Sequence, residues 1–110
     1  MEEKIRELYS KIREMGASFV IYHKRSSVEQ IKEIMPDIQE FVLWFLEGNR
    51  FGIEEQFYKD MSNNILVILK DIIEALKYGD IVLLHDATVN GLLEYLQLFM
   101  EQEEKSYDNI

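Results

Sequence analysis

The fold of this chain is decided by residues 64–100, which read NILVILKDIIEALKYGDIVLLHDATVNGLLEYLQLFM. Apolar residues recur here at three- and four-residue intervals, up to Tyr78 and again from Ile81, as they do on one face of a helix. Gly79 suits the C-terminal cap of the first helix, and Asp80 suits the N-cap of the second. Because so short a join turns the chain back on itself, this stretch predicts a helical hairpin.

Two further segments carry the same periodicity, in residues 2–24 and 27–48. With the hairpin helices at about residues 53–78 and 81–104, the chain has four long helices with short joins. This pattern predicts one all-α domain over residues 1–110, an antiparallel up-and-down four-helix bundle. The residues predicted to face its core on the first three helices are Ile5, Leu8, Tyr9, Ile12, Met15, Phe19, Val28, Ile31, Ile34, Met35, Ile38, Phe41, Val42, Phe45, Leu46, Phe57, Met61, Ile65, Ile68, Leu69, Ile72, Ala75 and Leu76.

Three local features test this assignment. The run FVIY at residues 19–22 favours a strand by propensity, but the helical phase passes through it unbroken, so we predict a helix. Pro36 lies inside the second helix on its polar face, and we expect a kink there rather than a helix end. Gly48 is the expected C-terminal cap of that helix.

The composition excludes several classes of protein. The chain has 110 residues, no cysteine and a formal net charge of −9. Without cysteine there is no disulfide framework and no thiol-ligated metal or iron–sulfur site. An acidic chain is a poor partner for nucleic acid, which is bound by basic surfaces. There is no apolar run near the roughly 20 residues that span a bilayer and no signal peptide, so we expect a cytoplasmic protein without a membrane partner.

No arrangement of residues predicts catalysis. The two histidines, His23 and His85, do not belong to a Glu-x-x-His pair, the signature of di-metal carboxylate bundles. The dipeptide His85-Asp86 resembles one used by metal-dependent phosphohydrolases, but the further histidines of such a site are missing. We therefore predict a protein that is not an enzyme, with no catalytic residue, no metal ligand and no cofactor.

Paired carboxylates at helical spacing occur twice, as Asp37-x-x-Glu40 and Asp71-x-x-Glu74. All-helical nucleotide pyrophosphatases hold magnesium with acidic pairs of this kind, which must face a shared cavity. Here all four carboxylates fall on the polar sides of their helices. We interpret them as solvated and expect no specific binding of divalent metal ions.

The fourth helix is apolar over an arc of roughly 240°, whereas a bundle helix needs little more than 100°. A four-helix bundle has no central helix that buries so broad an arc. We therefore predict a second covered face, formed by a copy of this chain in a homodimer or by a foreign helix. The predicted interface residues are Val82, His85, Val89, Leu93, Leu96 and Met100, with Trp44 of the second helix as a further anchor.

Two of these residues have an alternative interpretation. His85 is either a core histidine satisfied by one hydrogen bond or a pH-sensitive contact in an interface, since histidine titrates near cellular pH. Trp44, on the polar side of its helix, is either covered by long neighbouring side chains or exposed as an anchor for a partner.

Around the hairpin join the chain resembles a group of small uncharacterised bacterial helical proteins. Their Gly-Asp-x-Val-Leu-Leu-x-Asp segment and the Glu-Tyr pair that follows it correspond to Gly79, Asp80, Val82, Leu83, Leu84, Asp86 and Glu94-Tyr95. This chain departs from the group at His85 and Gly91. The resemblance covers residues 65–100 and implies the helical fold without an activity. In size and helix pattern the chain is also similar to the small chaperones of flagellar export.

These observations favour a non-catalytic, protein-binding helical bundle that acts as an adaptor or a chaperone-like protein. One alternative is a metal-dependent all-α nucleotide hydrolase, whose acidic pairs would have to turn inward. Another is a subunit whose bundle is completed only in a hetero-complex.

Overall fold

The computed structural model of the chain describes residues 1–22, 27–49 and 52–108, with the side chains of residues 1–17, 28–49 and 52–100. These residues form four helices and no strand, which confirms the predicted all-α class. The helices are α1 (Glu2–Tyr22), α2 (Ser27–Leu46), α3 (Glu55–Tyr78) and α4 (residues 81–108). Residues 19–22 are helical, as predicted, whereas His23 and the predicted end of the first helix at residue 24 lie outside the described residues.

The ends of α2 and α3 differ in part from the prediction. Pro36 lies within the continuous helix α2, as its polar-face position predicts. The prediction of Gly48 as the cap of α2 is wrong, because Gly52 and Gly79 are the glycines with positive φ among the described residues. The N-cap of α3 is Glu54, whose carboxylate accepts two backbone N–H bonds at 3.1 Å.

Both predicted caps of the hairpin are confirmed. Gly79 has a φ of +64°, a conformation that glycine adopts without strain, and its N–H bonds to the carbonyl of Ala75. The Asp80 carboxylate accepts a hydrogen bond from the N–H of Leu83 at 3.0 Å. The chain therefore ends α3 and begins α4 within two residues.

The core lies between the four helices. Each helix packs against the next along the chain, and α4 also packs against α1. Gly16 permits the latter contact, since a Cβ at this position would lie 2.7 Å from Cγ2 of Val89. The Tyr58 hydroxyl donates to the carbonyl of Phe45 at 2.6 Å and joins the start of α3 to the end of α2. The buried apolar residues are Ile5, Leu8, Ile12, Met15, Ile31, Ile34, Ile38, Phe41, Val42, Phe45, Ile65, Ile68, Ile72, Ala75, Leu84, Ala87, Leu92, Tyr95, Leu96 and Phe99.

The fourth helix is not a uniform α-helix. It consists of an α-helical segment Ile81–His85, a π-helical segment Asp86–Leu92 and an α-helical segment Leu93–Asp108. In a π-helix the hydrogen bonds span five residues, and most π-helices are single-turn bulges inside α-helices. Thr88 is fully buried here, and its hydroxyl donates to the carbonyl of Leu84 at 2.7 Å. The Thr88 side chain thus donates to a backbone carbonyl of the α-helical segment directly before the π-helical segment.

The π-helical segment changes the sequence-based description of α4. Its core-facing positions recur at intervals of four residues, as Leu84, Thr88, Leu92 and Leu96 and as Ala87, Gly91, Tyr95 and Phe99. At the 100° per residue of an α-helix, positions four apart drift by about 40° at each step, which spreads one buried face into a broad arc. Because a π-helix has a wider turn, it absorbs this drift. The prediction of a broad apolar arc on α4 is therefore wrong, because the buried residues of this helix share one face.

Candidate functional site

The predicted interface residues of α4 are divided between core and surface. Leu96 has 0% of its surface exposed, whereas Val82 is 73% exposed. Val89, Leu93 and Met100 are partly buried against the core. These residues do not form a continuous exposed stripe, because Leu96 belongs to the core of its own chain.

The other two predicted interface residues are also partly buried. The carbonyl of His85 lies 3.4 Å from the Thr88 hydroxyl, at the start of the π-helical segment. The ring centroid of Trp44 lies 5.0 Å from that of Phe99 and 6.2 Å from that of Phe41. Trp44 is thus covered by aromatic side chains of its own core, which the sequence interpretation did not include.

The exposed apolar surface of the molecule lies mainly on α3. This helix carries five of the eight exposed large apolar side chains among the described residues, with Val67 at 54% and Ile73 at 47%. Phe57 is one of the five, so the prediction that it is buried is wrong; it lies in the first turn of α3, whereas the first buried residue of the helix is Ile65. We call the outward surface of this helix the α3 face; it comprises Lys59, Asn63, Leu66, Val67, Lys70, Ile73 and Glu74.

The sequence carried a signal for the α3 face. Ile65 and Ile68 belong to the buried stripe, and the residues between them, Leu66 and Val67, point about 100° to 200° away from Ile65. Apolar residues outside the stripe of an amphipathic helix are candidates for a contact surface.

A shallow groove lies between α3 and the π-helical segment. Its volume is about 240 Å³, and its lining includes Asn64, Asp71, Asp86, Asn90 and Glu94. Gly91 lies at its base, where an added Cβ would be 3.2 Å from Cδ1 of Ile68. The π-helical turn thus places a row of polar side chains, at intervals of four residues, against α3.

Tyr95 anchors this groove to α3. Its hydroxyl donates to the carbonyl of Met61 at 3.1 Å and accepts from the Asn64 amide at 2.7 Å. Burial raises the pKa of Tyr95, because the phenolate would lose hydration, and the hydrogen bond from Asn64 opposes this effect. The phenol is therefore a neutral structural link at ordinary pH.

The two acidic pairs have different surroundings. Asp37 and Glu40 both contact the Lys4 ammonium of α1, with Asp37 at 3.5 Å, and the hydrogen bond that Lys4 donates to Glu40 raises the pKa of Lys4. Asp71 lines the groove beside α4, whereas Glu74 lies on the α3 face. The two pairs therefore do not share one cavity.

Within residues 1–22, 27–49 and 52–108, no three His, Cys, Asp or Glu side chains are placed to hold a metal ion together. In the part of the chain that the structure describes, none of the helices has the length and apolar character needed to cross a bilayer.

No protein-family model matches this chain, and neither a curated protein nor a solved structure is detectably similar to it. The candidate site is therefore defined by its own geometry, which is the exposed α3 face and the polar groove beside it.

Proposed function

We propose that this chain is a cytoplasmic, non-catalytic helical bundle, antiparallel and up-and-down, that binds protein through the α3 face as an adaptor or chaperone-like protein. The observation that carries this proposal is the exposure of Leu66, Val67 and Ile73 along one helix. Clustered exposed apolar side chains on a folded protein are characteristic of interaction surfaces. The antiparallel arrangement is supported by contacts such as Tyr58 with Phe45, which join the start of one helix to the end of the previous one.

The proposed contact surface lies on α3, whereas the sequence predicts a contact surface on α4. The sequence-based homodimer rested on a broad apolar arc of α4, most of which is covered within the chain. Only Val82 among the predicted α4 interface residues has the exposure that a docking residue needs. Binding through the α3 face requires no rearrangement of the core.

Site-specific photo-cross-linking tests this proposal. A benzophenone amino acid placed at Ile73 on the α3 face should form covalent protein adducts in the cells that make the chain. The matched control is the same amino acid at Glu33, an exposed position on α2. Mass spectrometry then identifies each adduct as a second copy or as a foreign protein. Equal labelling at both positions, or no adduct at either, contradicts the proposal.

The alternative of a metal-dependent nucleotide hydrolase has one observation in its favour. Asp71 lines the same groove as two further carboxylates, Asp86 and Glu94, although no three His, Cys, Asp or Glu side chains in the described residues are placed to hold a metal ion together. Carboxylates on facing helices are ligands that magnesium accepts. Magnesium titration followed by NMR distinguishes the two functions, since a hydrolase requires saturable shifts at Asp71 that an Asp71→Asn variant loses.

A further inference from the structure

We propose that two copies of this chain pair through their α3 faces, with the two α3 helices antiparallel about a two-fold axis between Leu66 and Val67. The inference rests on the proposed function, because it identifies the partner of the α3 face as a second copy. It is carried by the exposure, spacing and charge of the residues on this face.

The centre of the face is apolar and about half exposed. Leu66 and Val67 are both exposed, on the side of α3 opposite the buried residues Ile65, Ile68 and Ile72. Asn63 and Lys70 lie one turn to either side of this centre, and Lys59 and Glu74 lie one turn further out. An apolar centre with a polar rim is the usual anatomy of a protein interface.

Six of the seven residues on this face form an order that is complementary to its own reverse, and the seventh, Ile73, faces Asp60 of the partner subunit. In an antiparallel pair centred between positions 66 and 67, Leu66 faces Val67 of the partner subunit and Asn63 faces Lys70 of the partner subunit. Lys59 likewise faces Glu74 of the partner subunit. Because the two-fold axis repeats every contact, the dimer has two opposite-charge pairs around four apolar side chains.

A parallel pair and an antiparallel pair shifted by seven residues lose this complementarity. In a parallel pair Lys59, Lys70 and Glu74 each face the same residue of the other copy, which places like charges together. Sliding the antiparallel pair by seven residues toward the C-terminus brings the two Lys70 ammonium groups together and sets Leu66 against Glu74. Charge therefore favours the antiparallel direction and disfavours this shifted register.

The charged groups on this face are available for the contact. Lys70 and Glu74 have no ion pair within the part of the chain that the structure describes. Lys59 lies 3.5 Å from Glu55 on the same helix, but these side chains are 62% and 84% exposed, so their pairing is weak. A dimer thus gains pairs without breaking strong ones.

Analytical ultracentrifugation of charge variants tests the pairing. The unaltered chain should show a monomer–dimer equilibrium, and Lys59→Glu should raise its dissociation constant roughly tenfold, since each of two attractive pairs becomes repulsive. Adding Glu74→Lys in the same chain restores opposite charges across the axis and should return the constant to within about threefold of its original value.

The control is Leu43→Ser, which removes an exposed apolar side chain from α2 and should leave the dissociation constant unchanged. Circular dichroism verifies that each variant is folded. A chain that stays monomeric at millimolar concentration, or a charge swap that gives no recovery, overturns the dimer. If foreign adducts still form at Ile73, the proposed protein-binding function stands while this inference fails; if no adducts form, both fail.

Discussion

Helices α3 and α4 are adjacent in sequence and in space, and both are rich in apolar residues, but they use them differently. α3 is α-helical from Glu55 to Tyr78, and its apolar residues are divided between a buried stripe and the exposed α3 face. In α4 the π-helical segment Asp86–Leu92 gathers core-facing positions four residues apart onto one side. The number of apolar residues in a helix therefore does not show how much of its surface a partner can reach, because that depends on the angle between successive residues.

The largest expected difference in the free energy of unfolding is between a one-residue deletion in α3 and a one-residue deletion in α4. Deletion of Lys70 should unfold the chain, because it rotates Ile72 and Ala75 away from the core, and a displaced large core side chain costs roughly 2–5 kcal/mol. Deletion of Asn90 should keep the chain folded, within about 2 kcal/mol of the original free energy of unfolding. Leu84, Leu92 and Phe99 would then be seven residues apart, which suits a continuous α-helix.

Urea unfolding followed by circular dichroism measures both deletions. Both residues are exposed, so the loss of a packed side chain does not contribute to the difference between them. Equal destabilisation by the two deletions would show that the π-helical segment does not correct the register of α4.

A smaller effect on the free energy of unfolding is expected from substitution of Thr88. Thr88→Val preserves the shape of the side chain but leaves the buried carbonyl of Leu84 without its 2.7 Å hydroxyl donor, and should lower the free energy of unfolding by about 1–3 kcal/mol. Thr88→Ser keeps the hydroxyl and serves as the matched control for this bond. Urea unfolding measures both variants, and a Thr88→Val chain as stable as the Thr88→Ser chain would contradict a specific role of the hydroxyl.

The smallest effect concerns the link between the two helices at Tyr95. Tyr95→Phe removes the hydrogen bonds to Met61 and Asn64 and should cost about 1 kcal/mol near neutral pH. Since the folded-state pKa of Tyr95 is raised above the ordinary value of 10.0, the folded chain holds this proton more tightly than the unfolded chain. The free energy of unfolding of the unaltered chain should therefore fall as the pH rises above about 10, and less steeply in the variant.

Urea unfolding between pH 8 and pH 11 would measure this slope. Tyr78→Phe is the matched control, because Tyr78 is well exposed, and it should retain the slope of the unaltered chain. A Tyr95→Phe variant with an unchanged slope would show that this phenol does not couple the fold to alkaline pH.

Much of the fold follows from the sequence because its signals are local. Gly79 and Asp80 mark the hairpin by their own backbone and side-chain preferences, and Pro36 is tolerated within α2 as its polar-face position predicts. A constant 100° per residue does not predict the π-helical segment. The available signal is the four-residue spacing of Leu84, Thr88, Leu92 and Leu96. These positions fall on one face only when the angle between successive residues is allowed to vary.

The candidate site was harder to predict than the fold. Phe57 has the correct angular position for its stripe but lies in the first turn of α3, ahead of the first buried residue of that helix. A helical wheel gives the angle of a side chain and not its depth along the bundle. The exposure of Leu66 and Val67 depends on which helices pack beside α3, and the structure leaves both residues exposed.

The position of Trp44 gives the protein an intrinsic optical probe. It is the only tryptophan in the chain, and its ring lies 5.0 Å from that of Phe99 in the last segment of α4. Indole emission depends on the polarity around the ring, so separation of this segment from α2 would shift the fluorescence spectrum toward that of hydrated tryptophan. Opening of the bundle at α4 can thus be followed in real time in an unlabelled chain.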